Sequence, residues 1–216
     1  MTPMDKYKKA YMKAITDGDI QSAQDIISKS LEDDYSLDDI YSMIASSMYD
    51  IGNSWQFNDI SVAQEHFSTA ISQTIISQLG LQKMPVDYER RKETAALFSV
   101  ETNAHSLGIQ MIQNIFQHFG YRTYYFGADL PNAHIIKELK KIKPNYIAFS
   151  ITLSDHALAA IELSQMIRDE NELSDTKIII GGYAFHNRAE LKDHIEHDYY
   201  FQNVSDFNDW LSEKDR

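Results

Sequence analysis

TAALFSVETNAHSLG, Thr94–Gly108, decides how the chain is read. It opens on a continuous apolar run, Thr94–Val100. A short run without alternation is what a strand covered on both faces requires. A polar loop follows, carrying His105 three residues before Gly108. A helical pattern then places Leu107, Met111, Ile112, Ile115 and Phe119 on one side over His105–Phe119. The same alternation recurs downstream. Strands are expected at Arg122–Phe126, Tyr146–Phe149, Lys177–Ile180 and Tyr199–Phe201. Helices are expected at Ala133–Ile142, His156–Arg168, Ala189–Ile195 and Ser205–Leu211. Strands separated by helices imply a doubly wound parallel sheet, Rossmann-like or flavodoxin-like, with helices on both faces.

Upstream the texture changes to helices alone. Lys6–Thr16 spaces Tyr7, Ala10, Tyr11 and Ala14 by three and four, and Asp19–Leu31 spaces Ile20, Ala23, Ile26 and Ile27 similarly. Ser36–Ile51 carries Ile40, Met43, Ile44 and Met48. Ser61–Leu79 carries Val62, His66 and Ala70, then Ile75, Ile76 and Leu79, and Ser61 with Gln64 has the spacing of a capping box. Residues 1–82 are therefore expected to form a four-helix bundle. The polar, proline-bearing stretch at 83–92 reads as a linker, and 93–216 as the α/β domain.

Composition narrows the function classes. Of 216 residues, 43% are hydrophobic, enough to bury a core. The chain has no cysteine, which excludes disulfides and thiolate metal sites and leads us to expect a cytoplasmic protein. The formal net charge of −12 argues against direct binding to nucleic acid, whose phosphates select lysine and arginine. No apolar run approaches the roughly 20 residues of a membrane span.

In an open parallel sheet, ligands bind beyond the C-terminal strand ends, near the point where strand order reverses. Three features fall at such ends: His105 after the first strand, Ser150-Ile151-Thr152-Leu153 after the third, and Gly181-Gly182 after the fourth. A neutral imidazole is a good transition-metal ligand if its other ring nitrogen is held, and Asn103 or Glu101 is near enough in sequence to hold it. Hydroxyls at Ser150 and Thr152 could bond a polar tail crossing the sheet edge. Gly181 and Gly182, lacking Cβ atoms, would let a bulky group approach the backbone. The loop ETNAHSLG is not the G-x-G-x-x-G of a dinucleotide site, and nucleophile-elbow, P-loop and His-Glu-x-x-His patterns are absent, so catalysis by this chain is not expected.

Asn103-Ala104-His105-Ser106-Leu107-Gly108, followed by Ser150-Ile151-Thr152 and Gly181-Gly182, resembles the cobalamin-binding domain, whose usual pattern is Asp-x-His-x-x-Gly, then Ser-x-Leu or Ser-x-Thr, then Gly-Gly. The resemblance implies that His105 is the lower cobalt ligand of a base-off cobalamin. It also implies that Ser150, Thr152, Gly181 and Gly182 line the channel of the displaced nucleotide tail. In the helical half, Trp55 and then Glu65-His66 resemble the Trp-x9-Glu-His pattern of light-sensing, cobalamin-dependent transcriptional repressors, where these residues surround an adenosyl group. The match extends to the placement of Trp55, expected in the loop before the fourth helix. Taken alone, Trp55, Glu65 and His66 read as structural, Trp55 as a core aromatic and His66, on a stripe with Val62 and Ala70, as partly buried; taken with the downstream motifs they are expected to line the upper-face pocket.

Three departures accompany the resemblance. The usual aspartate is Asn103, an amide that orients the histidine but lends it less charge; Glu101 is a candidate substitute. The histidine that commonly follows the tryptophan is Gln56. The winged-helix domain of those repressors is not expected here. The expectation is thus a non-catalytic cobalamin sensor, favouring adenosylcobalamin, responsive to light, and acting through a protein partner such as a transcription regulator; self-association is left open. The alternatives are a corrinoid shuttle that carries methylcobalamin to a methyltransferase, or a repurposed domain binding another tetrapyrrole.

Overall fold

The computed structural model describes residues 2–82 and 91–215. It divides into two compact units, Met1–Gln82 and Lys83–Arg216. Most of the linker expected at 83–92 lies outside the described residues.

The first unit is built from α1 (Pro3–Thr16), α2 (Ile20–Glu32), α3 (Leu37–Gln56) and α4 (Val62–Gln82). Each begins where a side chain captures orphan amide protons. Thr2 and Asp5 cap α1 reciprocally, with Pro3 in the first turn where its missing N–H costs nothing. Asp19 caps α2, and Ser36 with Asp39 caps α3. Ser61 accepts from Gln64 N–H at 3.2 Å while Gln64 Oε1 accepts from Ser61 N–H at 3.0 Å, the capping box expected before α4. The core gathers Tyr11, Ile15, Ala23, Ile27, Ile40, Tyr41, Ile44, Ile51, Ile75 and Ile76. Buried serines join it. Tyr11 hydroxyl lies 3.0 Å from Ser72 Oγ, which itself donates to Met48 Sδ, so the tyrosine is the donor of that pair.

Two expectations fail in this unit. Trp55 stands in the last turn of α3, not in a loop, and is 44% exposed, so it is no core residue. The stripe of Val62, His66 and Ala70 faces outward. The buried side of α4 is Ser68, Ile71, Ser72, Ile75, Ile76 and Leu79.

The second unit alternates β1 (Thr94–Ser99), α5 (Leu107–His118), β2 (Arg122–Gly127), α6 (Asn132–Ile142), β3 (Tyr146–Ser150), α7 (Ala157–Asp169), β4 (Lys177–Gly181), α8 (Ala184–Asn187), β5 (Tyr199–Phe201) and α9 (Val204–Lys214). All strand pairs are parallel, in the order β2-β1-β3-β4-β5. Strand β1 lies between β2 and β3, so the chain winds one way from β1 to β2 and the other way from β3 onward. The reversal falls between β1 and β3. Ala95–Ser99 and Tyr146–Phe149 are buried throughout, which explains their unbroken apolar texture.

Boundary corrections matter for the site. Helix α5 begins at Leu107, leaving His105 in the loop before it, and Ser150 and Gly181 are the last residues of their strands. The helix expected at Ala189–Ile195 is a 3-10 segment, Ala189–His194, preceded by the four-residue α8. The six residues of that 3-10 segment are largely polar, and Leu191 is their one large apolar residue against the core, too narrow a face to hold a full α-helix.

Gly182 owes its identity to the fold. It sits at φ +122°, and a Cβ there would stand 2.2 Å from the Ile151 carbonyl oxygen. Gly181 is similarly close to the Phe201 carbonyl oxygen, at 2.9 Å. The double glycine thus makes room for the chain's own backbone. Gly182→Ala is expected to lose about 3 kcal/mol or more of stability in urea denaturation, from strain and overpacking together; an unchanged midpoint would contradict this close approach.

Candidate cofactor site at the sheet switch point

The loops after β1 and β3 flank the reversal of strand order, and a hydrogen-bond network joins them. At its centre is Asn103, fully buried. Its Oδ1 accepts from the His105 backbone N–H at 3.2 Å and lies 3.0 Å from His105 Nδ1. Its Nδ2 donates to the Ser150 carbonyl at 3.0 Å, with Thr152 Oγ1 at 3.5 Å. A backbone N–H can only donate, so the atom facing it is the amide oxygen, and the Nδ1 facing the same oxygen carries a proton. Neutral His105 is then the tautomer whose Nε2 holds the lone pair.

Ser99, the last residue of β1, donates its hydroxyl proton to the His105 carbonyl at 2.6 Å. Ser150 Oγ, 3.1 Å from Ser99 Oγ, is therefore the donor between the two hydroxyls. The loop is tied to the next one as well. Thr102 N–H donates to Asp129 Oδ1 at 2.9 Å, and Asp129 N–H returns a bond to the Asn103 carbonyl at 3.2 Å. Thr102 and Asp129 both adopt left-handed backbone, at φ 68° and 56°. The Tyr125 hydroxyl on β2, held above the ordinary phenol range by burial, bonds Ser106.

Glu101 does not substitute for the family aspartate. Its Oε2 accepts from Asn132 N–H at 3.0 Å and so caps α6, whose preceding Pro131 supplies no side-chain acceptor. Asn103 itself suits its place: an amide can donate to the Ser150 carbonyl, where a carboxylate would face a second acceptor.

His105 is exposed at the strand ends. Beside it stands His156, with ring centroids 6.5 Å apart and planes tilted by 45°. Burial and the neighbouring His105 lower the His156 pKa, against a smaller opposing pull from Asp155 and Asp129. A methyl group added to Gly108 would meet nothing within 4 Å, so the flank of α5 beside the histidine is open.

The structure therefore brings together Asn103, His105, Ser150 and Thr152, with Gly181 and Gly182 at the end of the adjacent β4. Ser99, Asp129, Tyr125 and the His105–His156 pairing escaped sequence reasoning. The signals available were a hydroxyl closing the apolar run of β1 and an aspartate just after β2.

In the helical unit, Glu65 Oε1 accepts from Thr69 at 2.9 Å, and Glu65 Oε2 lies 3.2 Å from His66 Nδ1. The His66 side chain is 75% exposed. Phe57, which caps the end of α3, and Val62, the first residue of α4, are exposed too.

A parallel sheet with an oriented, exposed histidine at its reversal point defines a cofactor-binding α/β domain. Its particular kind follows from comparison with known families: residues 93–204 match the B12 binding domain, and residues 7–79 match a second model of the same description. The chain belongs to the B12 binding domain family. It is 22% identical over 202 residues to trimethylamine corrinoid protein 1 of Methanosarcina acetivorans, covering 89% of each chain. It is 21% identical over 133 residues to the trimethylamine corrinoid protein of Methanosarcina barkeri, covering 59% of this chain and 60% of that one. Its fold matches the solved monomethylamine corrinoid protein of Methanosarcina barkeri with a TM-score of 0.78 at 17% identity, over 94% of this chain and 96% of that one. All three are methylamine corrinoid proteins by name. Among the described residues, no helix is long and apolar enough to cross a membrane.

Asn103→Ala strands the Ser150 carbonyl and the His105 amide. It is expected to cost about 1–3 kcal/mol in urea denaturation; a loss below measurement error would mean that the clamp does not stabilise the fold.

Proposed function

We propose that this chain is a corrinoid shuttle, binding cobalamin base-off and presenting it to a methyltransferase, and that it is not itself a catalyst. The observation that carries the reading is the His105–Asn103 pair at the switch point of a B12 binding domain. The donor set suits the group: one neutral imidazole, oriented through Nδ1, fits a metal whose equatorial positions a macrocycle already fills. His105 Nε2 would be the lower ligand. Ser150 and Thr152 would face the nucleotide tail, and the open flank at Gly108 leaves it room. Gly181 and Gly182 would border the channel. When bound, cobalamin supplies a cobalt centre that accepts a methyl group and gives it up.

Asn103 gives this histidine a neutral partner. The ring is oriented without a carboxylate beside it, so its electron donation to a metal is weaker than in an aspartate-paired histidine. A weaker lower ligand suits a shuttle, which must release its cargo. In the helical unit, Trp55, Glu65 and His66 are proposed as cofactor-binding residues on the pattern they share with the cobalamin-dependent family; Trp55 is exposed there.

The light-sensing regulator gives way to the shuttle for two reasons. The full-length similarities are to methylamine corrinoid proteins, and Gln56 replaces the residue that would capture cobalt after photolysis.

Reconstitution decides between them. Methylcobalamin is expected to be retained through desalting at micromolar protein, at least as tightly as adenosylcobalamin. Paramagnetic resonance of the Co(II) form is expected to show splitting from one histidine nitrogen, lost in His105→Ala with a roughly 10–100-fold fall in affinity. Exclusive retention of adenosylcobalamin, together with a light-dependent change in assembly, would replace the shuttle with the sensor. Failure to retain any corrinoid would end both readings.

A further inference from the structure

Helix α9 carries Phe207, Trp210, Leu211 and Lys214 at spacings of three and four, so the four lie on one side of it. Phe207 and Leu211 are buried, and Phe207 packs on Phe201 of β5 and Phe116 of α5. A lysine on such a side ordinarily lays its stem along the apolar surface and carries its ammonium out to water. Lys214 instead turns its ammonium over the rings. Its Nζ stands 4.5 Å from the centre of the Trp210 ring, one turn back, 5.0 Å from that of Tyr146 and 5.6 Å from that of Tyr199. It also donates to the Tyr146 hydroxyl at 2.8 Å. Among the described residues no carboxylate pairs with it.

The register of the sheet supplies two of these rings. Tyr146 stands two residues before Ala148, and Ala148 is level with Tyr199 across Ile179 of β4. Residues two apart on a strand, or level across strands, share a face, so Tyr146 and Tyr199 project together. Trp210 is the third wall, 5.9 Å from Tyr146 at 88° and 4.8 Å from Tyr199 at 51°. Arg91, over Tyr121 at 4.8 Å, shows the contrast: its guanidinium is engaged by Asp215, Glu93 and the Phe119 carbonyl. The Lys214 charge is met by π-faces and a phenol oxygen, the surroundings that select an organic ammonium ion. Tyr146 and Tyr199 begin their strands, so the cage lies at the opposite end of the sheet from the cofactor loops. Lys214 is exposed and Tyr199 and Trp210 are half-buried, which leaves the cage open to solvent.

We infer that Tyr146, Tyr199 and Trp210 form a binding site for a protonated alkylamine, and that Lys214 is the chain's own occupant, displaced when a competing amine binds. A tethered occupant acts at an effective concentration on the order of millimolar, which a free amine has to overcome. The Tyr146 hydroxyl accepts a proton from the occupant, so amines that keep an N–H are preferred to quaternary ammonium ions.

The fluorescence of Trp210 tests this in the full chain, in a Trp55→Phe background where it is the only tryptophan. The titrant is propylammonium chloride, which matches the part of the lysine side chain that alanine lacks. The neutral control is 1-propanol, and sodium chloride is the ionic one. The parent is expected to saturate with propylammonium, and Lys214→Ala to bind it roughly ten-fold more tightly because nothing competes. Neither is expected to saturate with the controls. In the alanine variant, adding Tyr146→Phe keeps the ring without the acceptor and is expected to remove most of the preference for propylammonium over tetramethylammonium. Adding Tyr199→Leu is expected to weaken both by roughly three-fold or more. Urea midpoints are the folding control, and Lys214→Gln replaces Lys214→Ala should the latter not fold.

Saturation in the alanine variant but none in the parent would make the lysine a fixed part of the fold and overturn the inference. An equal response to 1-propanol would overturn it too, as would an unchanged preference in Tyr146→Phe. Should Tyr199→Leu fail to fold, the contrast between propylammonium and 1-propanol decides the matter.

Discussion

The amide of Asn103 spans the place where the sheet changes its direction of winding. One end of it holds the loop after β1, through the His105 amide and ring. The other end holds β3, through the Ser150 carbonyl. A reversal of strand order leaves two neighbouring loops diverging to opposite faces, with a crevice between them. Without a tie across that crevice, an exposed histidine would have neither a defined position nor a defined tautomer. With it, the ring nitrogen nearer the protein is committed to hydrogen bonding, and the other is left with the lone pair that metal chemistry needs. Buried groups satisfied at both ends are rigid, because each alternative leaves a polar atom unpaired in a dry place.

The replacement of a carboxylate by an amide at this position follows from what surrounds it. The buried Asn103 meets two N–H donors on one side and a carbonyl on the other. Only a side chain with both polarities satisfies all of them. The adjacent hydroxyls repeat the pattern: Ser150 donates to Ser99, which donates to the His105 carbonyl. The direction of the protons from Ser150 through Ser99 to the His105 carbonyl, and across Asn103, is thereby determined.

Much of this architecture was legible in the residues. The strands β1, β3 and β4 announced themselves because a doubly covered strand is apolar at every position, and the first three helices because their apolar residues recur at helical spacing. Helix α4 misled. Its buried side carries Ser68 and Ser72, while Val62 and Ala70 lie on its outer side, so polarity and burial are partly inverted and the stripe through His66 was assigned to the wrong face. The glycines after β4 were legible as a place of close approach, but not in what approaches: the Ile151 backbone, a long-range neighbour. His105 stood out by its motif. Its pairing with His156 could not, since nothing local in ITLSDH marks where the start of α7 will lie once β3 has inserted beside β1. Glu101 was misjudged for the same reason, being within reach of His105 along the chain and engaged elsewhere in space.

The cap that Glu101 places on α6 has a wider meaning. A helix usually begins on a residue of its own loop, which lets that loop be lengthened, shortened or exchanged as a unit. Here the start of α6 depends on a carboxylate from the preceding crossover. Neither loop is a free-standing module, and an insertion in one would unseat the other. Natural variation at this edge of the sheet should therefore come in concerted pairs, and a graft of the histidine loop onto a related scaffold will succeed only if the start of α6 travels with it.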